Sequence, residues 1–515
     1  MMTNTVRPEV PTVLRYRRKG ISTRLRYLSP NGSGCGVAVL LVLLLSACAV
    51  GPDYQRPDVS TPASFKEAPK AAAGWFPAAP ADALDRGDWW TLFGDAELNA
   101  LAQQVQVSNQ NIAAAVASYA QARALVSQQR AALFPSLALD GSARRSGGSA
   151  STTSGNSLQL GVSASWVPDL WGRLSRTVEG AQARAQASEA DLAAARLSAQ
   201  AELATNYFSL RDADTELGLL DKSIEGYERS LTITKNRYDA AIAAKTDVLQ
   251  AQTLLANARA DRVTLQGQRE QLEHAIAVLI GKAPAEFSVA PVPPPQASSI
   301  QQASSIQQAL PVPPAVPLVV PSELLQRRPD IAAAERAVAA ANAQIGIQRS
   351  AYFPSLSLSA SYGTAGSRVA DLFSASNSLW SLGLSVAQTI FDAGATRAAV
   401  QGAEAGRDVA IAQYRQTVLA AFQAVEDQLS SSRALAEQAE LRKMASEAAD
   451  QTEQQLLNRY KQGQVSYTDV VTAQASALSA RRTLAQLAAN RQAAAIALIQ
   501  ALGGGWNVGR HIETP

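Results

Sequence analysis

Two cysteines and two histidines are all that this 515-residue chain holds of the side chains that most often ligate metals or attack substrates. His274 falls in a helix-forming stretch and His511 in the tail, and no Cys/His ligand spacing accompanies either. Neither a phosphate-cradling glycine loop nor a nucleophile elbow occurs. No catalytic residue and no metal is therefore expected. Long apolar runs are missing as well. The one conspicuous run, 37–45, is too short to span a bilayer as a helix. An excess of charge is also absent once the N-terminus is set aside. The first 47 residues carry seven basic residues and one acidic, which leaves 39 basic against 42 acidic beyond them. The basic isoelectric point thus belongs to the leader, and nucleic acid is not an expected partner.

The leader is the first positive signal. Arg7, Arg15, Arg17, Arg18, Lys19, Arg24 and Arg26 precede the apolar run, which ends in small residues. Residues 1–47 read as a secretory signal. Leu45-Ser46-Ala47-Cys48 resembles a bacterial lipobox, in which cleavage before Cys48 leaves that thiol to carry a covalent lipid, the only attached group expected. With Cys35 lost and Cys48 acylated, no disulfide can form even in an oxidising compartment. Residue 49 is alanine rather than the aspartate that resembles an inner-membrane retention signal, so the outer membrane is the expected destination. One lipid chain anchors only reversibly, and further apolar area is needed to hold the protein there.

Beyond the leader the chain is written twice. Ile112-Ala-Ala-Ala leading to Ala132-Leu-Phe-Pro-Ser-Leu137 recurs as Ile331-Ala-Ala-Ala leading to Ala351-Tyr-Phe-Pro-Ser-Leu356. Asn236-Arg-Tyr238, Thr246-Asp-Val248 and Ala251-Gln252 recur as Asn458-Arg-Tyr460, Thr468-Asp-Val470 and Ala473-Gln474. The expected layout is an N-terminal extended segment (48–95), a first repeat (96–283), a Pro-rich connector (284–328), a second repeat (329–503) and a tail (504–515). Ala-Ser-Ser-Ile-Gln-Gln stands twice in tandem within the connector, at 297 and 303, as a surface insertion would.

Each repeat reads as helix, β-hairpin, very long helix, turn, long helix. A first helix is predicted over about 96–133, ending before Pro135, and its counterpart over about 330–352, ending before Pro354. The stretches from about 173 to 236 and 396 to 460 lack proline and are rich in good helix formers. Each would run roughly 95 Å at 1.5 Å per residue. Such rods alone would suit a plain coiled coil. The hairpins, 136–167 and 355–388, argue otherwise. Leu158, Leu160, Val162, Ala164 and Trp166 alternate with Gln159, Gly161, Ser163 and Ser165; Leu356 to Tyr362 and Trp380 to Val386 alternate likewise, and a fourth strand, Leu137, Leu139, Gly141 and Ala143, shows the weakest pattern. Their length suits tilted strands in a membrane. Backbone in hydrocarbon must be fully paired, so such a sheet has to close. Four strands cannot close, and two copies would give a barrel of about eight strands, nearly filled by its own side chains. Three copies give twelve strands and a lumen.

Further residues resemble one family. Cys48-Ala-Val-Gly-Pro-Asp-Tyr-Gln-Arg-Pro57, then Trp89-Trp90 followed by Phe93, Asp95 and Leu98, and above all Pro321-Ser-Glu-Leu-Leu-Gln-Arg-Arg-Pro-Asp-Ile331 resemble the outer membrane factors, the TolC/OprM-like channels, and among them the NodT-type efflux lipoproteins. The resemblance runs over about 48–506. It implies a mainly α fold with a membrane β-barrel portion: a homotrimer whose long helices build an α-helical barrel and whose strands share one twelve-stranded β-barrel. It also implies a periplasmic membrane-fusion adaptor and an inner-membrane pump of the RND class as partners, with outer-membrane lipid around the barrel.

The resemblance places adaptor contacts at two helical tips, carried here by Arg237, Tyr238 and Asp247 in the first and Arg459, Gly463 and Ser466 in the second. It places a periplasmic gate at Tyr460 and Asp469. Gly463 suits a left-handed C-cap and Ser466 an N-cap. The first tip has Ala241 and Ala244 at those positions, so a differently made turn is expected there, with Thr246 or Asp247 as cap. Asp469 has two readings: a carboxylate in a cation-holding ring, or the partner of Ser466 in a capping box. Thr472 stands where some members carry a second acid. Trp166, Trp171 and Trp380 suit membrane-interface girdles or simple packing, and Phe134-Pro135 and Phe353-Pro354 mark the passage from helix to strand. The expected function is passive conduction of small toxic compounds or drugs in a tripartite efflux system. A type I protein-secretion duct, a pore-less periplasmic coiled-coil lipoprotein and an envelope hydrolase are the other classes considered.

Overall fold

A computed structural model describes residues 50–68, 86–147, 155–291, 313–314 and 327–504. The signal, Cys48, most of the connector with its tandem insertion, and residues 505–515 lie outside the described residues.

Ala, Gln, Leu and Arg dominate the helices. In order they are α1 (Ala96–Ser108), α2 (Gln110–Ala131), α3 (Arg173–Asp239), α4 (Lys245–Leu279), α5 (Pro329–Arg349), α6 (Ala395–Lys461) and α7 (Tyr467–Ala501). α3 and α6 each contain 67 residues, which is about 100 Å of rod. The expected first helix is broken in two. Asn109 takes an extended backbone conformation, and its side chain accepts from the N–H groups of Asn111 and Ile112 to start α2. The same amide donates to the Leu279 carbonyl at the end of α4 (2.7 Å). A side chain that caps one helix and closes another outcompetes an uninterrupted helix at this point. In the second repeat Arg328 has the corresponding place, donating to the Ala501 carbonyl at the end of α7 (2.9 Å).

The strands are β1 (Ser136–Ser146), β2 (Gly155–Trp166), β3 (Ser355–Gly366) and β4 (Ser378–Ala387), antiparallel in the order β1-β2-β3-β4. Register carries the alternation across all four. Leu139 pairs with Val162, Val162 with Tyr362 and Tyr362 with Trp380, while Ser136 pairs with Ser165, Ser165 with Ser359 and Ser359 with Gly383. One face is thus apolar and the other hydroxyl-rich. The apolar face is bare in the single chain: Leu139 is 74% exposed and Trp380 77%. Among the described residues no helix is long and apolar enough to cross a membrane.

The principal core lies where α1, α3, α4 and α7 meet around Trp90, Leu98, Leu203, Tyr207 and Ile276. Asp214, 1% exposed, accepts from Arg269 (2.6 Å) and Arg211 (3.1 Å), and these two arginines donate in turn to the Val289 and Ala290 carbonyls. The connector therefore leaves the helices from a fixed point. Residues 50–68 form an extended strap. Val50 N–H bonds to the Trp171 carbonyl (3.1 Å), Arg176 to Asp53 (2.7 Å) and Tyr54 to Glu335 (3.0 Å), and Phe65 is buried with Val425, Leu429 and Leu498.

Farther down α3, Asp212 is titrated by its surroundings. Burial, then the nearby Glu216 carboxylate, pushes its carboxyl up to about 7, with Arg482 opposing. A raised carboxyl pKa means that the folded state binds the proton more tightly than the unfolded chain, so stability falls as pH rises from about 4 to about 7. Asp212→Asn is expected to flatten that slope and to raise thermal stability at pH 8. Parallel melting curves of the two proteins between pH 4 and 8 would refute the assignment.

Candidate gate and channel wall

The far ends of the long helices carry the two tips. α3 turns into α4 through residues 240–244, and α6 into α7 through 462–466. The two turns have one geometry. Ile242 N–H reaches back to the Arg237 carbonyl (2.8 Å) in the first, as Gln464 N–H reaches the Arg459 carbonyl (2.9 Å) in the second. Ala241 and Gly463 both adopt left-handed backbone, with φ of 58° and 75°. The first turn is therefore not made differently, contrary to the sequence expectation. Nor do Thr246 or Asp247 cap α4: the N-cap is Ala244, which makes no side-chain cap. The backbone hydrogen bonds fix the shape of the turn, and alanine is held in a conformation that glycine adopts freely.

In the second tip the Ser466 hydroxyl accepts from Asp469 N–H (3.3 Å), and Asp469 Oδ2 accepts from Ser466 N–H (3.1 Å) and Ser466 Oγ (2.7 Å). The capping-box reading of Asp469 is thus realised, and one of its oxygens is committed within the turn. The Thr472 hydroxyl donates back along its own helix to the Thr468 carbonyl (2.9 Å).

The two tips are joined by one contact that sequence reasoning had split between two roles. Arg237, expected at an adaptor surface, lies over the Tyr460 ring (4.7 Å) and donates to the Tyr460 carbonyl (2.8 Å) at the end of α6. A guanidinium there meets both a π face and the negative end of a helix. Tyr460 is 3% exposed and packs on Tyr467 (ring centroids 5.2 Å apart). Burial pushes the Tyr467 hydroxyl up to about 12, so that ring stays neutral. The Tyr460 hydroxyl and Arg237 Nε are buried without a hydrogen-bond partner among the described residues. Tyr238, Arg459, Gly463, Ser466 and Asp469 stay exposed at the surface of the tips, and Asp247 is half-buried.

Sequence reasoning missed the polar ladder behind this cluster. Tyr227 donates to the Gln474 carbonyl (3.3 Å), and the Gln474 amide donates to the Ser230 hydroxyl (3.3 Å). The recurrence of Ala-Gln after each tip was the available signal. The second copy, Gln474, faces a hydroxyl on α3, whereas the first, Gln252, is exposed.

The three tryptophans occupy different settings. Trp380 is exposed on β4. Trp166, at the end of β2, donates its indole N–H to the Leu133 carbonyl (3.0 Å). Trp171 follows β2, stacks on Phe353 (4.8 Å) and donates to the Pro354 carbonyl (2.7 Å). Both indole donors thus tie the bases of the strands to the helix-to-strand passages. Among the described residues no three His, Cys, Asp or Glu side chains converge to hold a metal.

A sheet with a bare apolar face and two open edges, mounted on rods of about 100 Å, defines a subunit of an assembled membrane channel. Comparison with known proteins names the class further. The family model for outer membrane efflux proteins matches residues 101–282 and 320–504, and the chain belongs to that family. Outer membrane protein OprJ of Pseudomonas aeruginosa is 30% identical, over 92% of this chain and 96% of that one. The cation efflux system protein CusC of Escherichia coli is 29% identical, over 90% and 98%. In structure, the outer-membrane channel OprN superposes with a TM-score of 0.75 at 32% identity, over 89% of this chain and all of that one. This protein is accordingly an outer-membrane channel component for efflux, extending into the periplasm.

The strained turn is directly testable. Ala241→Gly is expected to stabilise the protein by about 1 kcal/mol, the cost of left-handed backbone at a residue with a Cβ. The gain should appear as a higher melting temperature with function intact, whereas an equal or lower value would mean that Ala241 carries no strain.

Proposed function

We propose that three copies of this chain assemble into one passive duct that carries small toxic compounds or drugs across the outer membrane. A periplasmic membrane-fusion adaptor meets the helical tips, and an inner-membrane pump of the RND class supplies the energy. The observation that carries this reading is the four-stranded sheet. Its apolar face is exposed and its edge strands β1 and β4 each have one unpaired side, which twelve strands in a closed ring would satisfy. The reading assigns the chain no catalytic step.

The lipid on Cys48 is the second part of the proposal. An acyl chain at Cys48 would add apolar area that holds the protein at the membrane alongside the barrel strands. Trp380 near the outer end of β4, and Trp166 and Trp171 at the strand bases, would flank the apolar band.

Gating is the third. Arg237 clasps the α6–α7 tip to the α3–α4 tip within each chain, and opening requires that clasp to release. The unpartnered Tyr460 hydroxyl and Arg237 Nε support a contact that exchanges partners when the tips part. Arg459, Gly463, Ser466, Tyr238 and Asp247 remain for the adaptor. Asp469 serves first as a cap and only through its exposed side as part of an acidic ring.

The reading is tested on the purified protein, in the cell and by one variant. Purified protein should run as a trimer in mild detergent and conduct in planar bilayers, and a deletion strain should become sensitive to antibiotics, dyes and detergents. A monomeric, non-conducting protein would sink it. Arg237→Ala removes a cation–π contact of about 2 kcal/mol, shifting the open-to-closed ratio by roughly 30-fold. A higher open probability in single-channel records should follow, and an unchanged open probability would remove Arg237 from the gate.

A further inference from the structure

The hydroxyl-rich face of the sheet is almost free of charge. Row by row, Ser136 aligns with Ser165, Ser359 and Gly383, and Ala138 with Ser163, Ser361 and Ser381. The next row outward breaks the pattern. Asp140 aligns with Gly161, Gly363 and Leu379. The two glycines belong to a close backbone approach. A Cβ on Gly363 would lie 2.7 Å from the Leu160 carbonyl oxygen and 2.8 Å from Gly161 Cα. At that height β2 and β3 can offer no side chain, and β4 offers only an apolar one. Asp140 is thus the one polar side chain projecting in its row, held by a hydrogen bond from the Ser163 hydroxyl (2.6 Å).

Only one other charged residue shares this face among the described strands, and its setting differs. Arg144 lies four residues outward, about 13 Å along the strand. It pairs with Ser157, and the β2–β3 pairing ends at Leu158 and Gly366. The Arg144 row therefore projects beyond the four-stranded wall, whereas the Asp140 row lies within it. At physiological salt the screening length is about 8 Å, so the two rows act on a passing ion separately. The outer one is in open water and the inner one is backed by low-dielectric wall.

We propose that Asp140 sets the charge preference of the β-barrel section of the duct. Three copies form a single ring of carboxylates in an otherwise neutral, hydroxyl-lined lumen, so that cationic solutes are favoured over anionic ones. The inference rests on the trimeric-channel reading, because one chain supplies only one carboxylate. Charged rings in a pore select ions by this means, and the walls focus the field of a charge that water alone would screen.

The test is the reversal potential of the full lipoprotein trimer in planar bilayers across a KCl gradient. The wild-type value is expected on the cation side, Asp140→Asn should move it toward zero, and Arg144→Gln should leave its sign unchanged. Asp140→Cys provides an independent handle, since the native cysteines are Cys35 in the leader and Cys48 under lipid. A cationic thiosulfonate on the introduced thiol should drive the reversal potential to the anion side, and an anionic one should restore the cation side. A conducting Asp140→Asn protein with the wild-type reversal potential would overturn the proposal, as would a larger shift from Arg144→Gln or indifference to both reagents. Absence of any conductance in the wild type would instead sink the channel reading beneath it.

Discussion

Unpaired backbone at the two edges of a four-stranded sheet is the constraint on which the rest depends. Every N–H and C=O left open in hydrocarbon costs several kcal/mol, and one chain leaves two strand edges so. The residues on the sheet answer the same constraint from the side. Leucines, Val162, Tyr362 and Trp380 face outward, and serines and glycines line the opposite face. The geometry has no use for a lone copy. A hydroxyl-lined lumen is a consequence of closure, since the face that does not meet lipid must meet water.

The helices obey a different demand, which is to hold a rod of about 100 Å in line without disulfides. Internal duplication supplies much of the solution. Gly281 and Gly503 end α4 and α7 with left-handed backbone, each against the carbonyl of the residue that precedes a capping side chain, Asn109 or Arg328. Where the halves differ, each has acquired its own attachment. The first binds the connector through Asp214, Arg211 and Arg269, and the second buries the far end of the strap, Phe65, against Val425 and Leu498. The tips differ in the same way. Arg237 from the first half closes on Tyr460 of the second, so the two equivalent turns form one asymmetric clasp.

Much of this was legible in the chain. Proline-free, alanine-rich stretches announced α3 and α6 to within a few residues, and alternation announced all four strands. The family resemblance carried the channel assignment and the expected tip residues. The failures were local. Asn109 was read as one more helical residue because propensity does not reveal that its amide would meet the end of α4. Ala241 was read as a different turn because sequence favours glycine there, whereas backbone pairing imposed the shape regardless. Arg237 and Tyr460 were given separate roles because 223 residues separate them.

By itself the sequence determined the period of each element, the twofold plan and the shortage of strands, since these depend on residue type and spacing along the chain. Tertiary structure alone decided which polar side chains are committed and to what. Arg237 is engaged across the tips, Asn109 against the end of α4, and Asp140 stands in a row cleared by two glycines on other strands. Such roles depend on register and on distances between remote segments. Those follow from the free energy of the whole packed chain, and no local window of residues encodes them.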